Sequence, residues 1–210
     1  MKTDAPAYFQ LVMSQLQRCG LLLESDPRLP SICSLISGAP VRGSWWSHPL
    51  AHTIFHVSGQ LADHSDVLIT KLIFGKVTFV HRKLWPEIFA IGTARERWQM
   101  KDLSAPARSM LKMVGEQGSL RTDEISWARS AEGKPGDVAR ELERKLLIHA
   151  GDFHTETGTH AKRLESWQLW AQRTGFRPSV ISADRAKRRI EETLDNLDEQ
   201  FGAKAKLPWK

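Results

Sequence analysis

The cationic side chains carry the most legible chemistry in this sequence. Lys134, Arg140, Arg144 and Lys145 fall on the short run "KPGDVARELERK", and His154, His160, Lys162 and Arg163 fall on the following "LLIHAGDFHTETGTHAKRLESW". Guanidinium and ammonium groups on a helix and an adjoining ribbon suit phosphate oxygens, and an arginine can also read a guanine edge with two hydrogen bonds. These eight residues are the candidate nucleic-acid contacts. Asp137, Glu141 and Glu143 dilute the positive charge of the same run. The alternative is therefore an element that docks another protein.

Other constellations are weaker. "GSWW" sets Trp45 and Trp46 after a glycine. Paired indoles in a loop can stack on bases, worth about 1–3 kcal/mol per base, or can anchor a core at a junction. His48, His52 and His56 recur at steps of four, a spacing at which two histidines can share a metal. Asp63, His64 and Asp66 could supplement them, but "HPLAH" has no glutamate in the position a zinc peptidase needs. The plain alternative is a helix of hydrogen-bonded histidines, and no metal or cofactor is expected. His149 joins His154 and His160 on the ribbon, where alternation sends neighbours to opposite faces. "FGK" is too short to cradle a phosphate, and no Ser-His-Asp or Cys-His set stands out. Cys19 and Cys33 are expected to be packed thiols.

These residues need elements to position them. Asp4 caps a first helix over about 5–22, with Phe9, Val12, Met13 and Leu16 on one face. A short helix follows over about 30–37, closed by Gly38. Ser47 caps a third helix, with Pro49 in its first turn, that runs to about Ala62. "DVLITKLIFGKVTFVHR" reads as a hairpin turning at Gly75-Lys76. Counting outward from that turn puts Leu68, Leu72, Phe74, Val77 and Phe79 on one face. Leu84 to about Arg97 is helical. Residues 1–100 thus form a helical region built on a β-hairpin, and "WQMKDLSAPARS" is a junction.

Beyond it the rhythm changes. Ser104 caps a helix with Pro106 in its first turn, ending near Gly118, and strand-like "SLR" follows. Thr122 caps a short helix through Ala128, "SAEGKPG" turns, Pro135 starts a third helix to about Lys145, and the ribbon reverses at Gly158. Helix, strand, helix, helix, hairpin is the order of a winged helix, expected over 104–176. Such a unit can lay its last helix in the major groove and reach phosphates with its wing. Strand alternation aims Lys162 and Arg163 to opposite faces, so at most one should point squarely at a groove. Trp167 and Trp170, three apart, should hold the following helix to the unit. Ser182 caps a terminal amphipathic helix, 180–202, with Ile190, Leu194, Leu197 and Phe201 in its stripe.

Net charge is +6, which favours polyanionic partners. No apolar run approaches the roughly 18–20 residues of a membrane span. "MKTDAPAYFQ" lacks the pattern of a secretory leader, so a cytoplasmic setting and no membrane partner are expected.

"ELERKLLIHAGDFHTETGTHAKRLESWQLWA" resembles the winged-helix part of the DNA glycosylase superfamily that unhooks interstrand crosslinks. "GSWWSHP" and "DVLITKLIFGKVTFVHRKLWP" resemble the N-terminal part of its smaller bacterial, AlkZ/YcaQ-related relatives. The likeness covers residues 40–175 and implies a DNA-repair setting. It also implies a catalytic Gln-x-Gln or Gln-x-Asp pair beside a DNA channel. The only such string is "QLQ", Gln15–Gln17, inside the first helix, where i and i+2 side chains diverge. The catalytic role is not carried onto it, and the chain is shorter than those enzymes.

The sequence therefore reads as an α+β protein: N-terminal helices around a β-hairpin, then a winged helix-turn-helix and a terminal helix. The leading function is binding of nucleic acid, with duplex DNA the expected target, in a repair-related or regulatory role. The alternatives are a glycosylase-like enzyme acting on damaged DNA and a protein-docking module.

Overall fold

The computed structural model describes residues 5–125, 133–154 and 160–210, with only the backbone described at 5, 154 and 160. It is an α+β protein with two three-stranded antiparallel sheets among the described residues. Contacts divide the chain into two compact units, 1–85 with 187–207, and 86–186 with 208–210.

The first unit opens with α1 (Ala5–Cys19). This helix ends three residues before the expected Leu22, because Gly20 adopts a φ of +83° and the next three leucines form strand β1 (Leu21–Leu23). The cap expected from Asp4 lies outside the described residues. Helix α2 (Ile32–Ser37) has a capping box in which Ser31 and Ser34 satisfy each other's backbone N–H groups, and it closes on Gly38 in the left-handed region. Helix α3 (Ala51–Ala62) does not start at Ser47. Trp45–Ser47 instead form a separate 3₁₀ turn, and the Leu50 N–H goes to His48 Nδ1.

Strands β2 (Val67–Lys71) and β3 (Val77–His81) form the expected hairpin in a different register. Lys71 pairs with Val77 and Ile69 with Phe79, so the loop takes in Leu72 to Lys76 and not Gly75-Lys76 alone. Thr78 Oγ1 accepts from the Ile73 N–H, and Phe74 sits at a φ of +54°, which together shape this wider turn. Phe74 consequently leaves the face expected for it and is exposed. The sheet order is β1-β3-β2, and Phe79, Leu22 and Val67 meet Val12, Leu16, Ile32, Ile54, Val57 and Leu61 in the core.

The second unit takes up most of α4 (Trp85–Ala94) and the single turn α5 (Arg97–Met100), so the stretch expected as one helix breaks at Arg95, whose φ is +49°. Helix α6 (Ala105–Gln117) begins as expected, with Ser104 Oγ accepting from the Ala107 N–H. Strand β4 (Ser119–Arg121) follows, then α7 (Pro135–Arg144), β5 (His149–His154) and β6 (His160–Glu165). Thr122 to Glu124 form a turn, while the rest of the helix expected through Ala128 and the reversal at Gly158 lie outside the described residues. The sheet order is β4-β6-β5, with Leu120 and Ala150 both opposite Leu164. These three residues pack with Ala107, Met110, Val114, Val138, Ala139 and Leu142.

Helix α8 (Trp167–Thr174) is capped by Ser166, and α9 (Ala183–Phe201) by Ser182. Ile190, Leu194 and Leu197 of α9 are buried, as their spacing implied. No described helix is long and apolar enough to cross a membrane.

Candidate nucleic-acid interface

Helix α7 buries Val138, Ala139, Leu142 and Glu143 and turns Asp137, Arg140 and Arg144 outward, with Lys134 exposed at its N-cap. Its three acids are each bound within the fold. Asp137 Oδ1 accepts from Arg140 at 2.8 Å. Glu141 takes the Ser104 N–H at 2.8 Å and the Ser104 hydroxyl at 2.7 Å, tying α7 to the start of α6. Glu143 Oε2 lies 2.8 Å from Lys162 Nζ, tying α7 to β6.

That last pair decides what Lys162 does. Its side chain is 18% exposed, against 5% for Glu143, and Asp152 Oδ1 stands 3.6 Å away on the neighbouring strand. Lys145 is likewise engaged internally: its Nζ donates to the backbone carbonyls of Trp98 and Lys101 at 3.2 and 3.0 Å. Both positions were expected among the phosphate contacts, and both ammonium groups sit on acceptors inside the unit.

Arg163 differs. It follows Lys162 on β6, is exposed, and has Gly151 and Arg121 opposite it. The sheet face bearing Leu164 and Lys162 packs on α7, so alternation places Arg163 on the other face. The five cations Lys134, Arg140, Arg144, Lys162 and Arg163 thus do not share one surface. Arg140 and Arg144 share the outward side of α7, and Arg163 stands on the far side of the ribbon. Arg121 is tied to Asp123 and Glu124 and lies 4.7 Å from the Phe153 ring centroid. His154 and His160 pair across β5 and β6, and their side chains lie outside the described part.

Two residues along β6 from Arg163, and on the same face by alternation, stands a charged cluster that the sequence did not suggest. Glu165, 3% exposed, accepts from Arg173 Nε and Nη2 at 2.9 and 2.8 Å, and His149 Nδ1 approaches its Oε2 at 3.3 Å. The His149 contact lacks the alignment of a hydrogen bond. Burial pushes the Glu165 carboxyl up, but His149 and Arg173 outweigh it and hold the group at about 2. Trp167 and Trp170 cover His149, their rings 5.5 Å apart and edge to face.

In the first unit Trp45 is 8% exposed and Trp46 62%, with ring centroids 4.1 Å apart and planes at 22°. Phe55 of α3, 53% exposed, sits 5.6 Å from Trp46. The sequence pairs the two indoles, and the fold adds Phe55 to them. Its signal was available: Phe55 falls off the stripe of Thr53, Ile54, Val57 and Leu61 that α3 buries. His52 and His56 are exposed on the same helix, and His48 is half-buried as an acceptor. No group of three histidine, cysteine, aspartate or glutamate side chains among the described residues is placed to hold a metal. Burial pushes the Cys33 thiol up to about 11, which keeps it protonated.

Gln15 and Gln17 do not converge. Gln15 donates from Nε2 to Cys19 Sγ at 3.0 Å and accepts from Arg18, while Gln17 is exposed on another side of α1.

The chain is an α+β protein with two small antiparallel sheets among the described residues, and its α7 turns Arg140 and Arg144 outward. The particular relationship comes from its sequence: the family model described as AlkZ related matches residues 8–206, and the chain belongs to that family. Membership relates it to DNA-repair proteins. No curated protein and no solved structure shows significant similarity to it.

Proposed function

We propose that residues 104–176 form a winged helix that binds duplex DNA in a cytoplasmic, repair-related setting. Three features support the reading: the order α6, β4, α7, β5, β6, the pairing of β4 with β6, and membership of the AlkZ-related family. The observation that carries it is the disposition of charge on α7. Its acids are bound by Arg140, Ser104 and Lys162, while Lys134 and Arg144 are exposed and have no ion-pair partner among the described residues. A helix so arranged presents positive charge although its composition is nearly balanced. Lys134, Arg140 and Arg144 meet the groove and its phosphates, and Arg163 reaches a phosphate from the rim of the wing. Lys145 and Lys162 brace the helix that does so.

Anisotropy of a labelled duplex, titrated at several salt concentrations, tests this. Binding should weaken steeply with salt, with a log–log slope of about −0.9 per phosphate neutralised. Arg144→Ala and Arg163→Ala should each weaken binding and make the slope shallower by about one unit. Absence of binding at low ionic strength would remove the reading and leave protein docking in its place.

A further inference from the structure

The stacked aromatics of the first unit take no part in the proposed winged helix, and two of them face solvent. We infer that Trp46 and Phe55 form a stacking platform for an unpaired nucleobase, with the adjoining serine- and arginine-bearing cleft taking the backbone of the same strand. The inference rests on the nucleic-acid reading for the identity of the polymer, and it adds a second class of ligand, the single strand.

The platform is built. Trp45 is buried and stacks beneath Trp46, which fixes the plane of the exposed ring. The 3₁₀ turn that carries both is closed by the His48 N–H on the Trp45 carbonyl and by Ser47 Oγ on the Ser44 carbonyl. Phe55 is held by a helix whose other face lies in the core. A ring kept in place before binding loses little freedom when a base stacks on it.

The surroundings favour a nucleotide over an apolar partner. Ser44 and Ser47, on either side of the indoles, line a cleft of about 270 Å³ together with Ser37, Arg42 and His48. Its lining contains one cation and no carboxylate. The charge pattern extends along the chain: of 24 acidic residues, none falls between Pro27 and Ala62, a stretch that holds Arg28, Arg42 and three histidines. Base faces stack on aromatic rings without regard to sequence, and a cleft lining free of carboxylates admits the phosphates that come with them.

The test separates bases from phosphates. A labelled single-stranded oligothymidylate and an abasic strand of equal length are titrated against the full chain, Trp46→Ala, Trp46→Phe and Phe55→Ala. The parent should bind the thymidylate strand about ten-fold or more tightly than the abasic one. Trp46→Ala should abolish that preference, Trp46→Phe should keep most of it, and Phe55→Ala should reduce it. Both exposed substitutions should leave the melting temperature and duplex binding near the parent's, so loss of the platform and loss of the basic helix are read on different probes. Equal affinity of the parent for the two strands would overturn the inference. So would a Trp46→Ala variant that keeps the preference. Sedimentation adds a further arm: a parent dimer dispersed by Trp46→Ala would show that the aromatics bind a second copy of the chain, and would also overturn it.

Discussion

Glu165 shows how much a single side chain's role depends on partners that sequence does not name. It ends a strand, eight residues before Arg173, and "RLESWQLWAQR" reads simply as a strand running into a helix. In the fold the two groups pair beside His149, and the carboxyl is held at about 2 against an ordinary 4.5. A folded-state value depressed in this way contributes stability that is complete above about 4.5 and is lost as pH falls towards about 2. Urea midpoints should therefore drop through that window, and Glu165→Gln should make the drop shallower. At neutral pH the variant should be less stable by about 1–3 kcal/mol, since it gives up charge-assisted hydrogen bonds in a buried place. A variant with the parent's full acid sensitivity would show that other carboxylates govern it. The same limit explains α7. Its acids were visible in the sequence as dilution of charge, but Glu141 finds Ser104 across 37 positions and Glu143 finds Lys162 across 19. Only packing reveals that they are bound internally.

Most elements with a local start signal were legible, Ser47 with Pro49 being an exception. Ser104 with Pro106, Pro135 and Ser182 each mark a helix start that the structure reproduces within a residue or two, because a helix begins most readily where its first backbone donors are satisfied or absent. Register and close approach were not legible, because they are set by groups far away in sequence. The Gly75-Lys76 pair has the composition of a two-residue turn, yet the bonded Thr78 hydroxyl and the left-handed Phe74 widen the loop. Gly92 is a second case. It lies inside α4, where glycine normally costs about 1 kcal/mol relative to alanine. A Cβ there would stand 2.2 Å from Trp167 Nε1, which itself donates to the Leu146 carbonyl at 2.7 Å. The indole's rigid edge occupies the space, so Gly92→Ala should reverse the usual sign and destabilise by about 1–3 kcal/mol. The smaller ring of Trp167→Phe should make the alanine less costly, giving a favourable coupling in a double-mutant cycle read by urea unfolding. A Gly92→Ala variant as stable as the parent would contradict the close packing of α4 on α8.

Across the whole chain, the α+β class and the relationship to AlkZ-like proteins were within reach of the sequence, through element order and a few phrases. Which unit the last helix completes was not. The stripe of Ile190, Leu194 and Leu197 announces an amphipathic helix, but an apolar stripe carries no address. The chain from Lys187 to Leu207 joins the unit made by its first 85 residues. The same global view bears on catalysis. Relatives that remove bases need two polar side chains converging on one target, and the only candidate string lies in the interior of α1. Successive residues on a helix turn by about 100°, so Gln15 and Gln17 point about 200° apart. The first is occupied by Cys19 and Arg18, and Leu16 between them is fully buried. Bringing both amides to one base would require unwinding a helix whose Val12, Met13 and Leu16 are core residues. The purified protein should therefore release no base from alkylated or crosslinked duplexes, even where it binds them. Product formation under single-turnover conditions is the measurement. Release that vanishes with Gln15→Ala or Gln17→Ala would mean that α1 opens on DNA, and the glycosylase reading would then displace the binding one.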